Sequence, residues 1–280
     1  MKVRLTTLND NTAGRWDMVA EWGLSILVQT DELTVLLDTG QKDAIIHNAE
    51  ALKIDLGTVD KVVWSHGHVD HIGGLRPLLV RARKDMEIIA HPSALEPKYV
   101  RHPKEKERSL FIGMPYLKEN IENLGAHFTL SREPVWLSEH ILTTGEIPLI
   151  TGYEKVDADA QVKHDGQIQE DTIPDDQALI IKTGDGLVVV LGCAHRGIIN
   201  TLRSAQKLTG VEHIHTVVGG AHLRGDTTEQ IERTITDLKD FGIEHLGLLH
   251  CTSMPAIVRL AQEFGDVVFF NSAGTSFNIP

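Results

Sequence analysis

The segment HGHVDH at residues 66–71 is the part of this sequence from which the fold can be argued. It places three imidazoles and one carboxylate within six residues, directly after residues 61–64, a short apolar run typical of a buried strand. Alternate residues of an extended segment point to the same side, so the first two histidines can share one ion. The chain then turns at Asp70 and His71, which can face a second ion close by.

Imidazole and carboxylate ligands at this spacing suit Zn²⁺, Fe or Mn²⁺. A single histidine is more often a surface or core residue than a ligand, but four such groups in six residues are rarely accidental. A histidine-rich surface loop is the alternative, and the apolar strand that leads into the segment argues against it. The segment therefore predicts a metal site whose first ligands are His66, His68, Asp70 and His71.

One loop cannot complete the coordination of two ions, so further ligands must come from other parts of the chain. Three later segments share one pattern, an apolar predicted strand followed closely by a histidine. These strands cover residues 188–192, 216–220 and 246–249, and the histidines are His195, His222 and His250. Functional groups of α/β proteins gather at the carboxyl ends of strands, so these three histidines are predicted to join the metal site.

Two choices in this second set stay open from the sequence. Cys193 precedes His195 by two residues, and either can be the ligand, with His195 favoured. His222 and His250 compete for a last ligand position, and one of them can act as an acid instead. The other nine histidines lack the strand-end pattern and are predicted not to bind metal: His47, His91, His102, His127, His140, His164, His213, His215 and His245.

The order of predicted elements indicates an α/β fold made of two similar halves. Paired strands at residues 24–30 and 33–37 lead into alternating strands and helices. A second pair at residues 178–183 and 187–191 leads into a second alternating series, which ends in a predicted strand at residues 267–270. These halves predict one domain over residues 1–280, with sheets inside and helices outside.

The alternation of strands and helices is lost from about residue 97 to residue 166, and this segment is predicted to be a cap or insertion. A strand is predicted within it at residues 137–142, and the polar stretch at residues 156–176 is predicted to be a hairpin or excursion. Its early part carries four cations that either form a rim for an anionic substrate or belong to a solvated loop, since acidic residues alternate with them. The cations are Arg101, Lys104, Lys106 and Arg108.

Composition restricts the classes of partner. The chain has 39 Asp plus Glu and 27 Lys plus Arg, a formal charge of −12, so it repels phosphate backbones and no nucleic-acid partner is expected. No stretch approaches the ~18 apolar residues of a membrane helix, and no secretory signal is visible. A cytoplasmic protein without a membrane partner is therefore expected, with Cys193 and Cys251 unpaired.

Taken together, these motifs resemble the metallo-β-lactamase superfamily. Residues 66–71 match its HxHxDH motif fully, and the strand that runs into Asp38-Thr39-Gly40 resembles its first motif. The resemblance implies a four-layer αββα sandwich with a dinuclear metal site at one edge of two sheets. It also implies that Asp38 supports the ligand loop without binding metal. Two features depart from the usual pattern, because residues 143–146 lack the third-motif histidine and Cys193 stands where a bridging aspartate is common.

Further stretches resemble one subgroup of this superfamily, which includes an archaeal 7,8-dihydropterin-6-methyl-4-(β-D-ribofuranosyl)aminobenzene-5′-phosphate synthase. Most members of the subgroup are known as metal-dependent hydrolases. The stretches that carry this finer resemblance are residues 23–25, 37–41, 144–148, 175–178, 192–201, 219–223 and 250–252.

These observations predict a metal-dependent enzyme with two divalent ions, Zn²⁺ being the first choice. The simplest activity is hydrolysis of an ester or phosphoester in a small, anionic substrate by a metal-bound hydroxide. Asp70 would orient the hydroxide, and His195, His222 or His250, whichever is not a ligand, would protonate the leaving group. The subgroup resemblance suggests an alternative, a transferase that joins a pterin diphosphate to an arylamine. A second alternative is a non-catalytic metal-binding protein, and an oligomer is compatible with all three.

Overall fold

The computed structural model describes residues 1–105, 107–225 and 227–280. The strands of these residues are β1 (Val3–Asn9), β2 (Ser25–Thr30), β3 (Thr34–Leu37), β4 (Lys61–Val63), β5 (Met86–Ala90), β6 (Lys98–Arg101), β7 (Ser109–Phe111), β8 (Ala126–Leu130), β9 (Ile141–Thr143), β10 (Ala160–His164), β11 (Gln167–Glu170), β12 (Leu179–Thr183), β13 (Gly186–Val190), β14 (Ile214–Gly219), β15 (His245–Leu248) and β16 (Ser276–Ile279). The helices are α1 (Ala44–Ala51), α2 (Val69–Ile72), α3 (Leu75–Ala82), α4 (Lys118–Glu122), α5 (Ile198–Thr209), α6 (Thr228–Leu238) and α7 (Met254–Phe264).

Two large sheets repeat the same plan, as the two predicted halves require. The first has the order β16-β1-β2-β3-β4-β5-β8 and the second the order β15-β14-β13-β12-β9. In the first sheet β1, β2 and β3 are antiparallel, and β4, β5 and β8 continue parallel to β3. In the second sheet β9, β12 and β13 are antiparallel, and β14 and β15 continue parallel to β13.

Alternation along single strands explains how each sheet buries both faces. In β4, Val62 belongs to the core beneath the helices and Val63 to the core between the sheets. In β13, Val188 lies between the sheets and Val189 beneath the helices. Successive side chains of a strand point to opposite faces, so a continuous apolar run fits a strand that is covered on both sides.

Three hydrophobic cores separate four layers. The middle core joins the two sheets, with Val63 from the first and Val188 from the second. Ile45 of α1 belongs to the core on the outer face of the first sheet, and Leu202 of α5 and Leu260 of α7 belong to the core on the outer face of the second. The predicted αββα sandwich is therefore confirmed.

A third sheet with the order β11-β10-β6-β7 comes from the segment in which the sequence showed no regular alternation. The polar stretch before residue 176 contains the hairpin of β10 and β11, as predicted. The prediction did not find β8 and α4, which belong to the first sheet and its helical layer. These elements have only five residues each, too few for a clear period in the sequence.

Two predicted strands were wrong. Residues 137–142 are not one strand, because β9 begins only at Ile141. Residues 267–270 follow the short helical turn Gly265–Val267 and make a single bridge, between Val268 and Leu246, instead of a ladder. Val267, Val268 and Phe269 pack against the cores, whereas Phe270 is exposed. The last strand of the chain is β16, which pairs with β1 in the first sheet.

The helices are short and cover the sheets. In α5, the residues of one face, such as Ile198 and Leu202, are buried, and the helix has 12 residues. A helix must have about 20 apolar residues to cross a bilayer. Within the described parts of the chain, no helix meets both the length and the hydropathy that such a crossing requires.

Candidate metal centre

The predicted ligands follow the carboxyl ends of four strands, and the structure brings most of these ends together. Residues 66–71 follow β4, and His195 follows β13. His222 and His250 follow β14 and β15. Each of the last three connections turns through a non-glycine residue with a positive φ, which is 51° at Ala194, 43° at His222 and 57° at His250. Such backbone costs about 1–2 kcal/mol per residue and is common at functional sites.

The first group of donors contains His66, His68 and His195. The Nε2 atom of His66 lies 3.0 Å from Nδ1 of His68 and 3.2 Å from Nε2 of His195. All three side chains are buried, and burial lowers the pKa of His68 to about 4 and holds the pKa values of His66 and His195 well below the ordinary value. The imidazoles are therefore neutral at pH 7, the form that binds metal.

Hydrogen bonds determine which nitrogen of His66 carries the lone pair. Ser65 Oγ donates its proton in a hydrogen bond to Asp38 Oδ2 at 2.6 Å. The lone pairs of Ser65 Oγ are therefore free to accept a hydrogen bond from Nδ1 of His66, which lies 2.9 Å away. A proton on Nδ1 leaves Nε2 as the electron-pair donor that faces His68 and His195. A second hydrogen bond of this kind is the usual way in which proteins orient a metal-binding histidine.

The second group contains Asp70, His71 and His250. The Nε2 atoms of His71 and His250 are 3.1 Å apart, and Asp70 Oδ2 lies 3.8 Å from the first and 3.6 Å from the second. Burial, reinforced by His71, lowers the pKa of His250 to about 3. Burial opposes ionisation of Asp70, but His71 and His250 outweigh it and hold the pKa of this carboxyl below its ordinary value.

Asp38 lies behind both groups. It turns the chain after β3 with a φ of 58°, and its carboxylate accepts from Ser65 N at 2.7 Å, from Ser65 Oγ, and from Nδ1 of His71 at 2.7 Å. This contact to the ligand loop is the one that the family resemblance predicted. A Cβ on Gly192 would lie 2.0 Å from Ser65 Oγ, so only glycine leaves space for this hydrogen-bonded unit.

The charges of the centre fit metal cations. Burial disfavours a charge on His71, yet Asp38 and Asp70 outweigh it and raise the pKa of His71 to about 9. Two carboxylates thus favour positive charge at a place where the other imidazoles are neutral. Within each group the nitrogen and oxygen donors lie within 4.8 Å of one another. A borderline divalent ion with nitrogen and oxygen ligands matches this donor set.

Both members of the open choice between Cys193 and His195 reach the centre, but they meet different donors. Cys193 Sγ lies 3.1 Å from Nε2 of His71 and groups with His66 and His71, whereas His195 belongs to the first group. The sequence reasoning did not consider Cys251 as a donor, although it directly follows His250. Its Sγ groups with Cys193 and His250, so it lies next to the second group.

His222 has a different position from the other six predicted ligands. Its ring centroid lies 4.2 Å from that of His195, and burial holds its pKa below the ordinary value. It is not part of the close donor groups that the described residues form. Its assignment as a ligand stays a prediction. The structure instead places it on the wall of the cleft in front of the centre.

The cleft in front of the centre has a volume of about 320 Å³. Trp22 and Arg224 line this cleft, and the sequence did not predict either of them. The guanidinium of Arg224 is 5.6 Å from the centroid of the Trp22 ring. The centroid of the Trp22 ring is 5.9 Å from that of the His250 ring. Arg224 follows His222 by two residues, which is the signal that could have identified it. The apolar residues of the cleft are Val69, Val100, Ile112, Ala160 and Ile173.

The cationic rim that the sequence suggested is not built by the predicted arginines. Arg101 pairs with Asp159 at 3.4 Å and Arg108 with Glu105 at 3.7 Å, and neither is among the described residues that line the cleft. Lys106 lies outside the described residues, and Lys104 is exposed. The solvated-loop interpretation is therefore favoured for these residues.

A buried ion-pair network connects the third sheet to the ligand loop. Lys98 is fully buried in β6, and its Nζ donates to Asp171 at 2.8 Å and to Asp175 at 2.7 Å. The other oxygen of Asp175 accepts from the backbone N of Gly67 at 2.8 Å. A Cβ on Gly67 would lie 2.4 Å from the carbonyl oxygen of Ala94, so the loop also packs closely against the backbone of Ala94.

Comparison with known proteins agrees with this geometry. The sequence profile of the metallo-β-lactamase superfamily matches residues 23–199. The 7,8-dihydropterin-6-methyl-4-(β-D-ribofuranosyl)-aminobenzene-5′-phosphate synthase of Methanocaldococcus jannaschii is 31% identical over 275 residues, which cover 94% of this chain and 92% of the synthase. The crystal structure of Tm1679, a metal-dependent hydrolase of the β-lactamase superfamily, is 29% identical, with a TM-score of 0.85 and 99% of both chains covered.

A more distant structure, a diphosphatase from the PhnP family, covers 100% of this chain and 98% of its own. It is 15% identical with a TM-score of 0.57, which shows a shared fold and no more. The profile match, the 31% identity and the fold together decide the family. The chain belongs to the metallo-β-lactamase superfamily and is an enzyme of that fold.

Proposed function

We propose that this enzyme is a dinuclear metal-dependent hydrolase of a small ester or phosphoester. The observation that carries the proposal is the pair of donor groups, one with His66, His68 and His195 and the other with Asp70, His71 and His250. Two divalent ions held by these groups, Zn²⁺ being the first choice and Fe or Mn²⁺ the others, supply a nucleophile at neutral pH and neutralise the charge of an oxyanion. The structure of Tm1679, described as a metal-dependent hydrolase, supports this proposal.

The residues of the chain prepare the centre for this chemistry. Asp38 holds the Nδ1 proton of His71, which fixes the tautomer of that ring. Asp70 is ionised and half-buried, and it can orient a nucleophile beside the second group. His222 lies on the cleft wall beside His195, and it stays one of the three histidines, with His195 and His250, that the sequence proposed as proton donor to a leaving group.

The cleft favours an anionic substrate with an apolar portion. Arg224 is the cation among its described lining residues, and a guanidinium can bind a phosphate or carboxylate through two hydrogen bonds. Val100 and Ala160 of the third sheet line the cleft together with residues of the metal loop. We therefore propose that the segment at about residues 97–166 acts as a cap that gives the substrate its apolar surface.

A transferase is the second candidate, and two observations favour it. The relative from M. jannaschii is named as a synthase of a dihydropterin joined to an aminobenzene phosphate. The apolar wall and the ring of Trp22 suit a flat heteroaromatic group, since aromatic surfaces stack on one another. In this activity, an arylamine would displace the diphosphate of a pterin. The two metal ions and Arg224 would hold the departing diphosphate.

One experiment distinguishes the two activities. The purified enzyme, supplied with Zn²⁺ or Mn²⁺, is offered a pterin diphosphate with and without an arylamine, and in parallel a nitrophenyl phosphodiester. Hydrolysis predicts release of nitrophenol and consumption of the diphosphate ester without the amine, whereas transfer predicts consumption only when the amine is present. The His71→Ala variant controls for contaminating activity. No turnover of any substrate class by enzyme with full metal content would favour a non-catalytic metal-binding protein.

A further inference from the structure

A second group of histidines lies at the opposite ends of β14 and β15 from the catalytic centre. His213 precedes β14, His215 is its second residue, and His245 is the first residue of β15 with Glu244 just before it. The chain rises about 3.3 Å per residue in a strand, so the length of β14 separates this cluster from His222 by about 15–20 Å. None of these residues contributes to the site described above.

Backbone pairing brings the four side chains together. β14 and β15 are parallel, with Thr216 opposite His245, and the backbone N of Glu244 donates to the carbonyl oxygen of His215 at 3.0 Å. The ring centroids of His215 and His245 are 5.2 Å apart. One ligand atom each from His215, Glu244 and His245 lies within 4.8 Å of the other two, the spacing that a single ion requires.

Neighbouring groups orient the donors of this cluster. Nδ1 of His215 lies 2.7 Å from the hydroxyl of Thr216, which is buried and can accept a hydrogen bond from it. A proton on Nδ1 leaves the lone pair of His215 on Nε2, which faces Glu244 Oε2 at 3.9 Å. In this tautomer, two electron-pair donors face one another across a gap that is too long for a hydrogen bond and that a cation would occupy.

The remaining members hold this arrangement in place. Nε2 of His213 lies 3.1 Å from Oε1 of Glu244, so one carboxylate oxygen is oriented by His213 and the other is directed to His215. The ring of His245 packs on Phe277 of β16 with centroids 4.7 Å apart. A surface ion pair of His213 with Glu244 alone would explain none of the contacts of His215 and His245.

We propose that His215, Glu244 and His245 bind one additional transition-metal ion of the Zn²⁺ class, with His213 as the residue that orients Glu244. This site is separate from the catalytic centre and joins the amino ends of two adjacent strands. Two imidazoles and a carboxylate are a common protein donor set for Zn²⁺, and the open side of the cluster leaves a position for water. The ion would stabilise this edge of the second sheet, because binding to the folded state alone raises its stability.

The test is a count of bound ions in full-length protein. Metal-free protein is titrated with Co²⁺, which gives visible absorption when bound to nitrogen ligands, and the titration is repeated with Zn²⁺ by calorimetry. The His215→Ala/His245→Ala variant is expected to bind one equivalent fewer than the wild type. The matched control is His127→Ala/His164→Ala, which removes two exposed histidines that contact carboxylates elsewhere and is expected to keep the wild-type count.

Two further measurements keep the test independent of folding and of the catalytic centre. Glu244→Gln changes a half-exposed side chain and is expected to weaken the extra equivalent at least about tenfold without changing turnover. A protein that carries His66→Ala and His71→Ala is expected to retain one equivalent that His215→Ala then removes. Equal metal counts and affinities in the wild type, Glu244→Gln and His215→Ala/His245→Ala would overturn the proposal.

Discussion

The two halves of the molecule share one strand plan but supply the residues of the proposed metal site in different ways. The first half places four donors in the continuous segment of residues 66–71, at the end of β4. The second half supplies His195, His222 and His250 singly, after β13, β14 and β15. In the first half, local geometry decides which donors meet. In the second half, the packing of the three turns that follow the strands decides which donors meet.

This difference has a structural consequence at the second half. Its three histidines follow equivalent strands, yet His195 joins the first donor group, His250 joins the second, and His222 lies beside His195 on the cleft wall. Equal positions in the strand plan therefore do not give equal roles. The conformation of the turn after each strand, together with the residues that pack against that turn, directs each imidazole ring to a different position in the site.

The largest expected effect tests whether the two halves contribute equally. His66→Ala and His250→Ala remove one donor from each group, and each should lower metal content and reduce kcat/KM by at least about 10³-fold, the upper range for loss of one preorganised charge-stabilising group. Metal analysis and the activity assay measure both. The matched control His127→Ala removes an exposed histidine and should change neither. Full metal content in either variant would contradict the proposed ligand set.

The next effect concerns the buried network that supports only the first-half loop. Lys98→Met leaves Asp171 and Asp175 as buried, unpaired carboxylates and should lower the free energy of unfolding by about 3–5 kcal/mol, as measured by denaturant titration. Arg259→Met is the comparison, since it breaks a solvent-screened ion-pair network with Glu232 and Glu263 and should cost much less. Similar losses of unfolding free energy in the two variants would show that the buried ion pairs of Lys98 stabilise the fold no more than the exposed ion pairs of Arg259.

The same network has a signed pH dependence. Burial opposes ionisation of Asp175, but Lys98 outweighs it and holds the pKa of Asp175 below its ordinary value. A group with a lowered folded-state pKa stabilises the protein fully above its unfolded pKa, which is about 3.9 for Asp. This contribution should therefore be constant above about pH 5 and decline as the pH falls through the folded-state pKa. The difference in unfolding free energy between the wild type and Asp175→Asn, measured from pH 3 to 7, checks the sign.

A smaller loss of metal affinity is expected when Asp38, which contacts the ligand loop, is changed. Asp38→Asn keeps the size of the side chain but removes the charge that holds Nδ1 of His71, so metal affinity or activity should fall about 10–100-fold. Ser65→Ala is the comparison variant, because it leaves the contact of Asp38 with His71 but removes one hydrogen bond to Asp38 and the contact with Nδ1 of His66. A direct bond of about 2 Å between Asp38 and a metal in a loaded crystal structure would show that it is a ligand instead.

The smallest effect separates the cation at the cleft from those of the solvated loop. Arg224→Ala should raise KM for a phosphorylated substrate about tenfold, the effect of about 1.4 kcal/mol of binding energy. It should also flatten the salt dependence of kcat/KM, because screening acts on the charge that is removed. Arg101→Ala/Arg108→Ala should leave KM unchanged. An increase in KM with the second variant but not the first would restore the cap arginines as the substrate rim.

The sequence alone predicted the features that depend on local order. The HxHxDH segment after a buried strand predicts a metal site because its donors are neighbours in the chain. The paired strands followed by alternating strands and helices predict the layered fold, because the spacing of apolar residues within each segment indicates whether that segment is a strand or a helix. The shortest elements, such as α4 and β8, escaped prediction because five residues hold too little periodic signal.

Tertiary structure alone decided which distant residues meet. It placed Cys193 beside His71, Arg224 above Trp22, and Lys98 against the aspartates behind the ligand loop. Contacts between residues far apart in the chain depend on how strands are ordered and how their connections turn, and no local pattern encodes that order. The residues on strand ends were visible in the sequence as candidates, but their directions were set only by packing between the two halves.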